Sequence, residues 1–173
     1  NIVFNTSQLV PGIYSEHIFF TSNGGEADVE MFLEVAAETP SPFPDVYRYS
    51  TGSDYLYTTN PQGEAARLKA KGYRYRGIAF RLFSPGTPGT TEFFRWFNPL
   101  KGDHFYSSHP IGGGKPLSGY ILEGAIGNIA TSRLNGTKEL YRWYNPTTGC
   151  HFYTTNPSGE GMGRQGYRFE GIA

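Results

Sequence analysis

YRWYNPTTGCHFYTTNP, at residues 141–157, is the stretch of sequence that decides the fold. Residues 141–145 are mostly aromatic, and aromatic side chains favour β-strands. Pro146 presets its φ angle and Gly149 tolerates a positive one, so the residues between them are predicted to form a tight turn. Residues 151–156 then return as the second strand of a β-hairpin.

The hairpin belongs to a longer unit that occurs three times. Its third strand is GYRFEGIA at residues 166–173. The same blocks read YRYSTGSDYLYTTNP at 47–61 with GYRYRGIAF at 72–80, and FRWFNPLKGDHFYSSHP at 94–110 with GYILEGA at 119–125. We therefore predict an all-β protein with a pseudo-threefold repeat of about 47 residues, with units at 46–90, 91–137 and 138–173.

The spacing of one tyrosine per unit supports the repeat. Tyr57, Tyr106 and Tyr153 stand 49 and 47 residues apart and occupy the same place in their blocks. We expect equivalent positions for them in the structure. In the third strands, alternation places Tyr73 with Tyr75, Tyr120 with Leu122 and Tyr167 with Phe169 on the face that we expect to be buried, and the glycine two residues after each pair marks a bend.

Two closed arrangements fit three such units. One is a trefoil-like closed body, in which residues 80–83 and 128–131 supply a fourth strand, and the other is a small propeller-like ring. We expect one domain over residues 1–173. Residues 1–45 do not match the repeat, and we expect them to close the array, with Ile2-Val3-Phe4 pairing with the last strand to remove an open edge.

Composition excludes several classes of protein. The 15 basic and 15 acidic residues cancel, so there is no basic field for nucleic acid and no polybasic patch for a membrane surface. Apolar runs are too short to span a membrane. The single Cys150 excludes an intrachain disulfide. Glycosylation sequons at Asn5 and Asn135 favour an extracellular location.

The candidate ligand-binding residues are an aromatic residue and an arginine that recur in each unit, with an asparagine and a histidine in the second and third units. An aromatic face can stack on the C–H face of a sugar, while planar guanidinium and amide groups hold its hydroxyls. The alternative is that the aromatic residues pack between neighbouring repeats, and that the arginines stack on tyrosines or pair with Glu123 and Glu170. The predicted set is Arg48, Tyr49, Arg95, Trp96, Asn98, His104, Arg142, Trp143, Asn145 and His151.

A catalytic or metal site is a weaker interpretation of the histidines. His104 and His151 each have a glutamate in the same unit, Glu123 or Glu170, which would suit general acid–base chemistry. Active sites are normally single, however, and Tyr55 replaces the histidine in the first unit. A metal site needs three or four ligands, so we expect no metal and no cofactor.

The repeat resembles an uncharacterised domain of secreted bacterial and fungal proteins. Its signature is Tyr-Arg-x-Tyr-Asn, then Gly-x-His-Phe-Tyr-Thr, then Gly-Tyr-x-x-Glu-Gly, over about residues 46–173. The first unit departs from it at Tyr55 and Arg76, which implies that a site built on His and Glu is lost there. The resemblance implies a non-catalytic accessory role.

We therefore expect a lectin-like protein with up to three related sites and glycans or glycoconjugates as partners. The alternatives are a small extracellular hydrolase that uses a His–Glu pair, and a structural or defence protein that binds other proteins.

Overall fold

The computed structural model describes residues 12–35, 41–109 and 118–173. The chain divides into two compact units, residues 1–40 and 41–173. Both are built mainly from antiparallel strands, which confirms the all-β prediction. Among the residues described, no helix has the length and apolar character needed to cross a membrane.

The N-terminal compact unit, called the first unit from here on, contains one long β-hairpin. Strands β1 (Gly12–Ser22) and β2 (Gly25–Val35) pair in continuous antiparallel register from Gly12 with Val35 to Ser22 with Gly25. Asn23-Gly24 forms the turn, and this dipeptide is a strong hairpin signal. The proposed pairing of Ile2-Val3-Phe4 lies outside the described residues and stays a prediction.

The second unit contains three sheets with the same strand order. In each, the first strand along the chain lies between the other two. Sheet 1 consists of β3 (Asp45–Ser50), β4 (Tyr55–Thr58) and β5 (Arg74–Arg81), with helix α1 (Pro61–Ala70) between β4 and β5. Sheet 2 consists of β6 (Thr90–Asn98), β7 (Asp103–Ser107) and β8 (Ile121–Ala130). Sheet 3 consists of β9 (Tyr141–Asn145), β10 (Cys150–Thr154) and β11 (Arg168–Ile172), with a 3₁₀ segment at Gly159–Gln165.

The three sheets meet through their second strands, β4, β7 and β10, which contact one another. Each contributes one fully buried tyrosine to the centre, Tyr57, Tyr106 or Tyr153. The three tyrosines are linked in a cycle, the tyrosine ring. Each side-chain hydroxyl donates to the backbone carbonyl of one of the other two tyrosines and accepts a hydrogen bond from the backbone N–H of that same residue, at 2.7–3.0 Å. The tyrosines therefore occupy equivalent places about a pseudo-threefold axis.

This arrangement decides between the two predicted architectures. The ladder pairings join strands within each sheet, apart from a bridge between Phe83 and Asn128, and the described residues form no closed barrel. The trefoil-like body is therefore wrong, and the small propeller-like ring describes the second unit.

A β-bulge interrupts the third strand of every sheet. The pairing skips one residue on that strand, which is Arg76, Glu123 or Glu170. The next residue is Gly77, Gly124 or Gly171, with φ of 106°, 128° and 145°, values that favour glycine. The predicted bend is thus a bulge, and it turns two glutamates towards the arginine of the central strand.

The face predicted to be buried on these strands is covered only in part. Tyr167 is buried and Tyr73 and Tyr120 are partly buried, but the residues two positions later are exposed. Tyr75, Leu122 and Phe169 are 54%, 45% and 55% exposed. These side chains are exposed because of where the third strands lie in the ring of three sheets. Neighbouring sheets contact one another through their second strands near the axis, whereas the third strands lie at the outer edge of their sheets.

Candidate functional site

The first interface, between sheets 1 and 2, contains a buried aspartate–histidine pair. Asp54 Oδ1 accepts the backbone N–H of His104 at 3.0 Å, and Asp54 Oδ2 lies 2.6 Å from Nδ1 of the same residue. The hydroxyl of Tyr73 also donates to Asp54. On the other side of the ring, His104 Nε2 lies 3.5 Å from Glu123 Oε2. Both imidazole nitrogens thus face carboxylates.

The charge of His104 follows from these contacts. Burial alone would lower the pKa of its imidazole, but the hydrogen bonds that the ring donates to Asp54 and Glu123 outweigh burial and raise it. The pKa of Glu123 is raised by burial and lowered more strongly by His104 and Arg95, to about 2. The interface therefore favours a protonated histidine between two carboxylates.

The second interface, between sheets 2 and 3, repeats the arrangement. Asp103 accepts the backbone N–H of His151 at 2.8 Å and lies 2.7 Å from its Nδ1. Tyr120 donates to the same carboxylate. His151 Nε2 lies 3.6 Å from Glu170 Oε2.

At the third interface, between sheets 3 and 1, apolar packing takes the place of this aspartate–histidine pair. Cys150 and Tyr55 stand where the other interfaces have aspartate and histidine, and they pack with Phe152, Met162 and Tyr167. Burial raises the pKa of the Cys150 thiol to about 11, which makes it a poor nucleophile. The departure at Tyr55 thus coincides with the loss of the charged pair.

The arginine of each central strand reaches across to the preceding sheet. Arg48 lies over the ring of Phe152, 5.1 Å from its centroid, and binds Glu160 through two hydrogen bonds of 3.0 and 2.9 Å. Arg95 binds Glu64 in the same bidentate way, at 3.0 and 2.8 Å, and its Nε lies 2.7 Å from Glu123. Both guanidinium groups are therefore already bound by carboxylates of the same protein.

Arg142 has a different set of partners. Its guanidinium lies 5.0 Å from the centroid of Phe105, and its Nε donates to Glu170 at 2.7 Å. Within the described ranges, no carboxylate lies on the other edge of the guanidinium. Its side chain is 22% exposed, against 15% for Arg48 and 10% for Arg95.

The two tryptophans are half-buried in the sheets. Trp143 packs so closely on Gly159 that a Cβ there would lie 2.5 Å from Cε2 of the indole. The indole N–H groups of Trp96 and Trp143 are buried and have no hydrogen-bond partner among the residues described. Tyr49, the counterpart in sheet 1, lies 5.4 Å from Tyr75.

The two predicted asparagines organise hairpin turns. Asn145 Oδ1 accepts the backbone N–H groups of Thr147 and Thr148, and its Nδ2 donates to the carbonyl of Gln165 at 2.9 Å. Asn98 Oδ1 accepts two turn N–H groups in the same way. Such bonds fix the turn between the first and second strands.

The predicted residues therefore lie at several places in the ring instead of one open site. Glu123 joins Arg95 to His104, and Glu170 joins Arg142 to His151. Trp96 and Trp143 lie on the opposite faces of their sheets, because they alternate with these arginines along the strand. Their role in ligand binding stays a prediction.

Sequence reasoning missed Asp54, Asp103 and Glu64. The two aspartates occupy the same place in their units, one residue before Tyr55 and His104, and this repetition was a usable signal. Their role was not predicted, because their partners come from the next repeat, 50 and 48 residues away. Glu64 gave no signal, since a helix surface commonly carries acidic residues.

Comparison with known families identifies the second unit. Residues 42–173 match the family described as Domain of unknown function (DUF5648), and the chain belongs to that family. Neither the curated proteins nor the solved structures contain a match to the chain.

Proposed function

We propose that this member of the family is a non-catalytic carbohydrate-binding protein, with its best sites on exposed aromatic strips at the outer edges of the sheets. One observation carries the proposal. In sheet 3, Phe169 is 55% exposed and lies 5.7 Å from Trp143 and 6.0 Å from Tyr141. Three neighbouring rings of this kind form an apolar platform that suits the C–H face of a pyranose.

Sheet 1 carries a similar strip. Tyr75 is 54% exposed and lies 5.4 Å from Tyr49 and 6.2 Å from Tyr47. In sheet 2 the corresponding outer residue is Leu122, which offers no ring for stacking. Two sites of useful quality and one poorer one are therefore expected, and simultaneous binding would strengthen a weak individual affinity.

Polar groups stand beside the platform of sheet 3. The Tyr141 hydroxyl donates to Glu139 at 2.6 Å, and both are at the surface. A carboxylate and a phenol next to an apolar face are the kind of groups that hold sugar hydroxyls in place.

The geometry of the histidines favours binding over hydrolysis. His104 and His151 are 3% and 7% exposed, and each ring nitrogen faces a carboxylate. A general acid or base must come within hydrogen-bond reach of the substrate. These imidazoles instead join neighbouring sheets.

The test uses the outer rings, because replacing Trp143 would also remove its packing on Gly159. A glycan array would first identify a sugar, and calorimetry would then compare Phe169→Ala and Tyr75→Ala with the unmodified protein. Loss of a stacking ring should weaken binding by about 10- to 100-fold. Leu122→Ala is the matched control, since it removes a side chain of similar exposure at the equivalent position of sheet 2, and affinity should change little.

Three results would count against the proposal. They are an array without binding, an unchanged affinity in both ring variants, and turnover of a glycan that disappears in His151→Ala. Capture of a protein ligand by the same aromatic strips would favour the alternative in which the domain binds other proteins.

A further inference from the structure

An acidic residue stands at the same place in all three repeats. Asp45, Glu92 and Glu139 are spaced by 47 residues, and each lies three residues before the arginine of its central strand. Residues two positions apart on a strand share a face. The acid is therefore placed beside the first aromatic residue that alternates with this arginine, at one end of the outer aromatic strip.

In sheet 3 the acid adjoins the exposed rings directly. Glu139 is exposed, and its Oε2 accepts a hydrogen bond of 2.6 Å from the Tyr141 hydroxyl. The Tyr141 ring lies 6.0 Å from Phe169, which in turn lies 5.7 Å from Trp143. A carboxylate has about four lone-pair sites, and the phenol uses one of them. Glu139 can therefore accept hydrogen bonds from a ligand that rests on these rings.

Charge distinguishes the strip of sheet 3 from that of sheet 1. In sheet 1 the equivalent acid is Asp45, and Arg81 binds it with its Nε 2.7 Å from Oδ1. The described contact of Glu139 is with an uncharged phenol instead. Sheet 3 therefore presents a carboxylate beside its rings, whereas sheet 1 presents an ion pair.

Aromatic faces and a carboxylate attract the same kind of ligand. The face of an aromatic ring attracts an ammonium group that lies within about 6 Å of its centre. A carboxylate attracts the same group, and charge-assisted hydrogen bonds of this kind are stronger than those from a neutral hydroxyl. A sugar that stacks on the rings and also carries an ammonium group uses both attractions.

We infer that the strip of sheet 3 selects a protonated amino sugar of the glucosamine type, with its C–H face on Phe169 and Trp143 and its ammonium group on Glu139. The inference rests on the proposed carbohydrate binding and adds the class of sugar. Sheet 1 has no such preference, because Arg81 already neutralises Asp45.

Calorimetry with two sugars tests the selectivity. The probes are a glucosamine trisaccharide of the chitosan type and the corresponding glucose trisaccharide, in which a hydroxyl replaces each ammonium group. Tyr75→Ala first removes the exposed ring of sheet 1, so that the strip of sheet 3 is measured by itself. In this background the glucosamine probe should bind about fivefold more tightly, the upper contribution of an exposed ion pair. Glu139→Gln should remove the difference.

Glu92→Gln is the matched control for this loss. It removes the equivalent exposed glutamate of sheet 2, where Leu122 stands in place of an exposed ring. The preference for the glucosamine probe should stay at about fivefold in the Tyr75→Ala background.

A second pair of variants creates the preference on sheet 1. Phe169→Ala leaves the strip of sheet 1, which should bind both sugars equally. Adding Arg81→Gln frees Asp45, and the glucosamine probe should then bind about fivefold more tightly. The Arg81 side chain is 68% exposed, so this substitution should leave the fold unchanged.

The outcomes separate this inference from the proposed function. Equal binding of the two sugars in the Tyr75→Ala background overturns the ammonium site and leaves carbohydrate binding standing. A preference that Glu139→Gln does not reduce, or that Arg81→Gln does not create, overturns the ammonium site in the same way. Trilysine is the third probe. Glu139-dependent binding of this peptide without binding of either sugar keeps the cation site, but it overturns both the amino-sugar assignment and the carbohydrate proposal.

Discussion

The tyrosine ring makes a quantitative prediction about stability. Replacing Tyr57 by Phe removes one buried hydroxyl, which donates to the Tyr153 carbonyl at 2.8 Å and accepts the Tyr153 N–H at 2.9 Å. The aromatic ring itself stays, so packing is nearly unchanged. The variant therefore isolates the loss of two buried hydrogen bonds.

The expected cost follows from the groups left behind. Tyr57→Phe leaves a backbone N–H and a backbone carbonyl of β10 without partners in a fully buried position. An unsatisfied buried polar group costs about 1–3 kcal/mol, so the two groups should lower the free energy of unfolding by about 2–6 kcal/mol. For a unit of this size, that is a fall in melting temperature of roughly 10 °C.

The threefold relation sharpens the test. Tyr106→Phe and Tyr153→Phe remove the same two bonds from the other sheets and should cost the same within about 1 kcal/mol. Tyr141→Phe is the control, because its hydroxyl bonds to Glu139 at the surface and should cost less than about 0.5 kcal/mol. Urea denaturation followed by circular dichroism measures all four. Ring variants as stable as the control would refute the hydroxyl ring as a source of stability.

Two further predictions concern charge. Burial raises the pKa of Glu64, but its bonds to Arg95 lower it more, to about 2 from a usual 4.5, so its stabilising effect is present above pH 4.5 and is lost as pH falls towards 2. Glu64→Gln should therefore flatten the fall of the unfolding free energy between about pH 5 and 2, by roughly 2 kcal/mol in denaturant titrations, and an identical pH profile would contradict this. At the third interface, Cys150→Asp should cost about 3 kcal/mol because it buries a carboxylate without the histidine that pairs with Asp54 and Asp103 at the other two interfaces. Adding Tyr55→His should recover most of that loss, and a double-mutant cycle without coupling would show that the Asp–His pair is not transferable.

Some of this structure was accessible from residue patterns. The order of aromatic, turn and glycine blocks predicted the three-stranded units, because each block acts within about ten residues of chain. The glycine before the end of each third strand predicted a bend, since a bulge there requires positive φ. The Asn23-Gly24 dipeptide is also a hairpin signal, although the hairpin at Gly12–Val35 was not predicted.

Burial in the third strands was predicted correctly for Tyr167 and wrongly for Tyr75, Leu122 and Phe169, for a physical reason. Alternation assigns residues to two faces of a strand, but it does not tell which face another sheet covers. Tyr75 and Phe169 share the side on which the second strand carries Leu56 or Phe152, yet only the second strand lies near the axis. Exposure was thus decided by distance from the axis, which no local pattern encodes.

The sequence by itself determined the elements and their repetition, because strand propensity, turn chemistry and glycine φ preferences act locally. Only the tertiary structure decided the partners. His104 meets Asp54 across 50 residues, Arg48 meets Glu160 across 112, and each central tyrosine bonds to the backbone of a different unit. These contacts depend on how the sheets are arranged about the axis.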